Sequence, residues 1–359
     1  MLVKIRHFHL SDIALGLCVV VTSLWTLWGV GEMFHEGWYH PFEWVFFLIP
    51  ALISLVLTLL ALRWPRVGAA LFTFLGVGFG VFTLWRYRPG SGRAAGWTLG
   101  RLLSLVPVTL FPIFIGLLFY WGWRVERARG SGEGSGGRRN LRYLVVIGVP
   151  LLLGIALAIE PAYRVAHRLD DGYLGERFIQ GNGVALHWAP AGPGWQRKGG
   201  LSWNELALYG KGRVGFEGKR FGEDGLCNGV GDWEAHCATE EDMRNYNLCL
   251  YLNYEGTQLM PTKQGFWRMP TTDEVVRSLT RGGLNAGCTW DASTGRPLCK
   301  IKPDKETPLW DPKSMVIYYW TADESDDGRA YYVVYNGAVY ALPKFIGMGS
   351  RGYRCVRIK

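Results

Sequence analysis

Residues 143–159 read YLVVIGVPLLLGIALAI, seventeen positions without Asp, Glu, Lys or Arg. Beyond them the chain is polar to its end. This stretch therefore divides 359 residues into two halves of different chemistry. The whole-chain averages conceal the division: 49% hydrophobic residues and a mean hydropathy of +0.06 suit an ordinary soluble protein. Ahead of the dividing run lie four more charge-free apolar runs, at 13–30, 45–62, 67–85 and 102–123. Each approaches the ~20 residues that an α-helix needs to cross the hydrocarbon of a bilayer. The first run follows Lys4 and Arg6, as a signal peptide would. It lacks a small-residue cleavage site and holds Trp25 and Trp28, so it reads as a retained helix.

The expected architecture is a five-helix transmembrane domain over 1–160, a stalk over 161–180 and an outer-side α+β domain over 181–359. Trp28, Trp38, Trp44, Trp64, Trp85, Trp121 and Trp123 cluster near the run ends, where amphipathic rings sit among headgroups. Pro50, Pro107, Pro112 and Pro150 lie inside runs, which membrane helices tolerate. With the N-terminus placed inside, the inner segments carry ten Lys and Arg, from Lys4 to Arg142. The outer loops carry four: Arg86, Arg88, Arg93 and Arg101. That bias predicts an N-in, C-out chain, in the cytoplasmic (inner) membrane of a bacterium, its C-terminal domain periplasmic or extracellular. Lipids are the first expected partners, and the four outer arginines suit headgroups or a partner subunit. The linker 130–137, GSGEGSGG, reads as flexible. The absence of charge within the runs argues against a transporter or pump, whose pathways need intramembrane ionisable groups. Glu32, His35, Glu36, His40 and Glu43 form a richer outer loop, without diagnostic metal-ligand spacing.

The cysteines divide in the same way. Cys18 sits alone in the first run and reads as a small buried hydrophobe. Cys227, Cys237, Cys249, Cys288, Cys299 and Cys355 all fall in the C-terminal half. An even set confined to one domain, with no C-x-x-C pair, predicts disulfides in an oxidising compartment rather than a zinc site. Six cysteines allow fifteen pairings.

Within that half, 201–208 (LSWNELAL) predicts a helix capped by Ser202 with Glu205 three residues on. Residues 272–279 (TDEVVRSL) predict a second, capped by Thr271 or Thr272. Strands are expected at 315–320, 331–335, 338–342 and 353–358. Asn336-Gly337 is expected to be a two-residue type I′ turn between two of them.

The ordered series LSWNELAL, FWRMPTTDEVVRSL, YYWTADE, RAYYVVYNGAVYALPK and GYRCVRIK resembles the Lcl C-terminal-like domains, relatives of the formylglycine-generating-enzyme group within the C-type-lectin-like fold. The likeness rests on Trp203 and Glu205, on Trp267, Arg268, Pro270 and Thr271, on Tyr319, Trp320 and Thr321, and on Arg354, Cys355, Val356 and Arg357. It covers about 183–359 and nothing of the membrane half. It implies a lectin-like outer domain in which these residues, Arg354 included, are structural. Short local loops rich in Gly, Asn and Asp favour the pairings Cys227–Cys237 and Cys288–Cys299, and the resemblance implies Cys249–Cys355, tying the final strand to the middle of the domain. Fold alone does not assign activity.

No catalytic residue is expected. The copper-dependent cysteine pair of the formylglycine-generating relatives has no match, and neither a nucleophile elbow, a phosphate loop nor a zincin helix is present. Asp323, Glu324, Asp326 and Asp327 are an oxygen-rich candidate for calcium, the single cofactor entertained, although the E-P-N or Q-P-D triplet of the lectins is absent. Tyr331, Tyr332, Tyr335 and Tyr340 could stack on sugars, with about half of them facing the core by strand alternation. The net charge of +9 is dispersed and is no nucleic-acid signature. The expected function is a non-enzymatic, membrane-anchored binding or assembly subunit that meets other membrane or outer-side proteins. The rivals are a membrane-bound oxidase or maturation enzyme and a glycan-binding adhesin or receptor.

Overall fold

The computed structural model describes residues 10–37, 42–86, 106–128, 136–170, 177–190, 201–211, 238–293, 295–306, 309–311, 316–326, 328–346 and 351–358. Two compact units divide the chain. One comprises Met1–His35 with Pro41–Ala162, the other Glu36–His40 with Tyr163–Lys359.

In the first unit, α1 (Leu10–Glu36), α2 (Trp44–Arg63), α3 (Pro65–Arg86) and α5 (Gly136–Ala166) are long and apolar enough to cross a membrane. The intervening α4 (Phe111–Ala128) is shorter and ends on Arg124, Glu126 and Arg127. A π-helical turn, Val106–Leu110, precedes it. That turn lies directly ahead of Pro112, which has no N–H to donate and whose ring would crowd the carbonyl of residue 108 in a regular helix. Residues Glu32–Glu36 belong to the last turns of α1, so the loop expected there begins later.

Small residues let these helices approach closely. A β-carbon on Gly116 of α4 would stand 2.7 Å from the Ala69 carbonyl oxygen of α3, and one on Gly76 of α3 would stand 2.4 Å from the Thr109 carbonyl oxygen. The core collects Ala14 and Cys18 from α1, Ala61 from α2, Ala69 and Phe72 from α3, and Ile115, Leu118 and Phe119 from α4. Thr22 and Ser54 share a buried hydroxyl hydrogen bond of 2.8 Å between α1 and α2. Lipid offers apolar side chains as much as protein does, so close backbone packing and such bonds drive association here. Trp64 alone separates α2 from α3, with Pro65 opening the second helix where a missing N–H costs nothing. Arg66 and Arg127 stack on Trp123 at 3.8 and 5.6 Å, gathering cations and rings at one end.

In the second unit, a three-stranded sheet has the order β1-β2-β9, with β1 Arg177–Gly181, β2 Val184–Trp188 and β9 Val356–Ile358. A four-stranded sheet has the order β7-β6-β5-β8, with β5 Tyr318–Asp326, β6 Arg329–Val334, β7 Val339–Pro343 and β8 Arg351–Gly352. A short hairpin joins β3 (Thr280–Arg281) to β4 (Leu284–Asn285). Three short helices flank the sheets: α6 Trp203–Ala207, α7 Glu240–Tyr246 and α8 Thr272–Arg277. Each opens with a reciprocal capping box, on Ser202 with Glu205, Thr239 with Asp242, and Thr271 with Glu274.

Two sequence readings need correction. The C-terminal unit has structure ahead of the expected start at 181: α5 continues to Ala166 within the segment read as a stalk, and β1 begins at Arg177 in the three-stranded sheet. The Asn336-Gly337 hairpin is also not a two-residue loop. Gly337 N donates to Val334 O and Val334 N to Ala338 O, which leaves three residues in the loop, and of the Asn-Gly pair Gly337 alone takes a positive φ, +92°. Asn336 instead accepts from Ala338 N through its side chain. The two-residue turn belongs to the same dipeptide at another place. Asn182 (φ +52°) and Gly183 (φ +83°) join β1 to β2, with Gly181 paired to Val184.

The close helix approaches define a test in the membrane unit. Gly116→Val is expected to lower stability in mild detergent by about 2 kcal/mol or more, because a backbone atom cannot give way. Gly148→Val in α5, where nothing lies within 4 Å of the added carbon, is expected to be nearly neutral. Denaturant unfolding followed by helix content compares the two directly.

Candidate functional site

Of the motif residues, Trp203, Trp267, Tyr319, Trp320, Cys355 and Val356 share one core. Trp203, Trp267 and Trp320 are fully buried. Trp203 Nε1 donates to Thr321 O while Trp320 Nε1 donates to Leu201 O, a reciprocal exchange locking the start of α6 onto β5. The Lys344 ammonium lies 4.9 Å from the centre of the Trp203 ring, bonded to Ala238 O and to Glu324 Oε2 at 2.8 Å each. Arg354 is buried and donates to Leu309 O. Pro270 O accepts from Ala322 N. Arg268 meets Glu274 with two parallel bonds of 2.7 and 2.6 Å. Burial alone would raise the Glu274 carboxyl, but the bonds from Arg268 and Thr271 outweigh it and hold the group below its ordinary range.

Disulfides join Cys249 to Cys355 and Cys288 to Cys299. The expected pair Cys227–Cys237 lies outside the described residues, as does Asp327 among the acidic candidates. Asp323 accepts from Thr272 N at the start of α8. Desolvation by burial pushes its carboxyl up, opposed by the Thr272 bonds. Glu324 is joined to Lys344, and Asp326 accepts from Gly328 N in the turn to β6. These carboxylates serve separate partners, and among the described residues no three His, Cys, Asp or Glu side chains converge as a metal site. Of the tail tyrosines, Tyr332 and Tyr335 are buried, Tyr331 packs edge-on against Trp290, and Tyr340 is exposed.

What most resembles a recognition surface lies on the three-stranded sheet, where the sequence reading points to Arg357 as a motif residue and to His187 only as one of several scattered histidines. Phe178, His187 and Arg357 are direct cross-strand neighbours on β1, β2 and β9. The Phe178 and His187 rings pack with centroids 4.8 Å apart, tilted by 41°. The Arg357 guanidinium lies 4.3 Å from the centre of the Tyr254 ring and 4.8 Å from that of Trp267. Tyr254 meets Phe266 edge to face at 5.3 Å. Phe178, Tyr254 and Phe266 are 40%, 56% and 44% exposed, so the row presents three rings around a cation.

Its scaffold is rigid. Trp267 Nε1 donates to Asn253 O and Tyr254 O, holding the turn that carries Tyr254. Asn253 Oδ1 accepts from Thr257 N and Gln258 N within that turn. Gly256 takes φ +71°, and a β-carbon there would stand 3.0 Å from Ala189 and 3.1 Å from Trp267. Neighbours brought together by sheet register leave little trace in a linear sequence. The one legible signal is the pair of rings, Tyr254 and Phe266, bracketing a polar segment that holds Gly256, Pro261 and Gly265.

A second feature is an open cavity of about 680 Å³ between the 295–303 segment and the β6–β7 hairpin. Arg296, Lys302 and Tyr340 are among its lining residues.

No protein-family model matches the chain, and neither a curated protein nor a solved structure matches it.

The Arg268–Glu274 fork yields a signed pH dependence. A carboxyl held low contributes stability that is present above its unfolded pKa and is lost as pH falls through the folded value. Arg268→Met is expected to cost about 1–2 kcal/mol at neutral pH, a figure discounted because the Arg268 side chain is 37% exposed. It is also expected to flatten the acid limb of the stability profile. Chemical denaturation of wild type and variant across the acid range measures both effects.

Proposed function

We propose that this chain is a membrane-anchored binding or assembly subunit without catalytic activity of its own. Five spans hold it in the bilayer, the fifth formed by α4 with the turn before it. The N-terminus lies on the cytoplasmic side of a bacterial inner membrane and the C-terminal unit on the outer side. The four long apolar helices and the excess of Lys and Arg in the assigned inner segments support this topology. The two disulfides, both in the C-terminal unit, fit an oxidising compartment. The lectin-like reading of that unit rests on its ordered motif residues, six of which, Trp203, Trp267, Tyr319, Trp320, Cys355 and Val356, share one core.

One observation carries the binding role: the row Phe178–His187–Arg357–Tyr254–Phe266. Exposed rings around a stacked arginine, set on a disulfide-tied sheet, match the residue types that dominate recognition surfaces. Their positions are held before any ligand arrives, so little ordering cost accompanies association. Calcium at Asp323, Glu324, Asp326 and Asp327 is no part of this proposal. The occupant fitting these groups is a protein or glycan on the outer side, bound through ring stacking and a cation.

Gentle detergent extraction from native membranes, followed by native mass spectrometry, tests the reading. Stoichiometric partners are expected with the wild type, and Tyr254→Ala with Phe266→Ala is expected to weaken their retention at least tenfold. A wild-type protein that always migrates alone and also fails to bind glycans in an array would overturn the proposal.

A further inference from the structure

A different surface of the C-terminal unit faces the question of how the domain is held once it leaves the bilayer. Leu169 follows the charge-free stretch of α5 by ten residues, and α5 remains helical to Ala166. Residues 160–166 rise about 10 Å as helix, and the three non-helical residues after them add at most about 10 Å, so Leu169 stands within about 20 Å of the hydrocarbon boundary. Whatever packs against it is therefore close to the bilayer.

The β3–β4 hairpin packs there. A β-carbon on Gly283 would stand 3.3 Å from Leu169 Cδ2. Next to Leu169, Arg168 is paired with Asp304 at 2.8 Å, with both side chains buried. The tight turn at Gly282–Gly283 is closed by Glu306, whose two carboxylate oxygens accept from Gly282 N at 2.9 Å and Gly283 N at 3.1 Å. Arg281 donates to Lys302 O, and Ile301 N donates to Ala286 O. The Cys288–Cys299 disulfide and the Thr289–Leu298 bridge complete the clasp. Residues 281–302 thus form a stitched loop fastened to the chain leaving α5.

The loop exposes the wrong side chains for water. Leu284, Leu298 and Ile301 are 69%, 76% and 44% exposed. Arg281, Arg296, Lys300 and Lys302 stand among them, with Arg296 and Lys302 also lining the open cavity. The exposed acids nearby are Asp170 and Asp291, whereas Asp304 and Glu306 are buried in the contacts above. Four cations against two exposed acids give the loop a net positive charge. Aliphatic tips with interleaved Lys and Arg are the composition of interfacial segments on anionic bilayers.

We propose that the 281–302 loop is a second membrane contact, resting on the bilayer that α5 enters. Leu284, Leu298 and Ile301 reach the acyl boundary, and Arg281, Arg296, Lys300 and Lys302 meet the headgroups of anionic lipids. The cavity lined by Arg296 and Lys302 accommodates one such headgroup. A domain held at this second point cannot swivel freely on α5.

Hydrogen–deuterium exchange of the full chain in nanodiscs tests this. Discs of neutral phosphatidylcholine are compared with discs containing about one-third phosphatidylglycerol. The amides of 281–302 are expected to exchange at least fivefold more slowly in the anionic discs. Lys300→Gln with Lys302→Gln is expected to abolish the slowing, while exchange in β6 and β7 stays unchanged and shows that the variant is folded. Equal rates in the two kinds of disc, or slowing that survives in the variant, would overturn the proposal. The amides of 143–159 report separately on insertion. If they stay unprotected in discs, the membrane reading itself fails, and that outcome overturns this proposal with it.

Discussion

The five residues 267–271 tie the C-terminal unit together. Trp267 fixes the turn that bears Tyr254. Arg268 exchanges two backbone hydrogen bonds with Val356, which joins the segment to the three-stranded sheet. Pro270 accepts from Ala322 of β5, which joins it to the four-stranded sheet. Thr271 caps α8, and Arg268 reaches forward to clamp Glu274 in the same capping box. One extended segment therefore satisfies both sheets and a helix start. Its backbone donors and acceptors are buried, so losing it would leave several of them unpaired.

Around this seam, charge is used as structure. Lys344 sits against Trp203 and satisfies Ala238 and Glu324. Arg168 and Asp304 pair with little exposure to water. Lys305, also buried, donates to Glu36 O, and desolvation, reinforced by Arg168, pulls its ammonium down to about 7. Breaking such a group from its partner leaves an uncompensated charge in a poor solvent, which makes these positions intolerant of single replacements. The acidic strand follows the same logic, with Asp323 serving α8 and Glu324 serving Lys344.

Much of this was legible in the linear chain because the signals are local. A charge-free run of about 20 residues needs no partner to declare itself. Ser202 with Glu205, and Thr271 with Glu274, announce helix starts because a capping box closes within four residues. The Asn-Gly dipeptide marked a turn but not its type. At 182–183 both residues take positive φ and close a two-residue loop, whereas at 336–337 Gly337 alone does. Cross-strand register decides between them, and register is a property of two strands. The start of the C-terminal unit is hidden in the sequence for a related reason: β1 and β2 declare themselves only by pairing with each other.

An apolar helical half and a cysteine-bearing polar half, with short capped helices and strands in the latter, can be read from the linear chain alone. Those features depend on neighbours within a few residues and on composition. Folding is what brings Phe178, His187, Arg357, Tyr254 and Phe266 into one row and sets Leu169 against the Gly282–Gly283 turn. These contacts join residues as far apart as 178 and 357. Strand pairing and side-chain packing create such neighbours, and no local pattern encodes them.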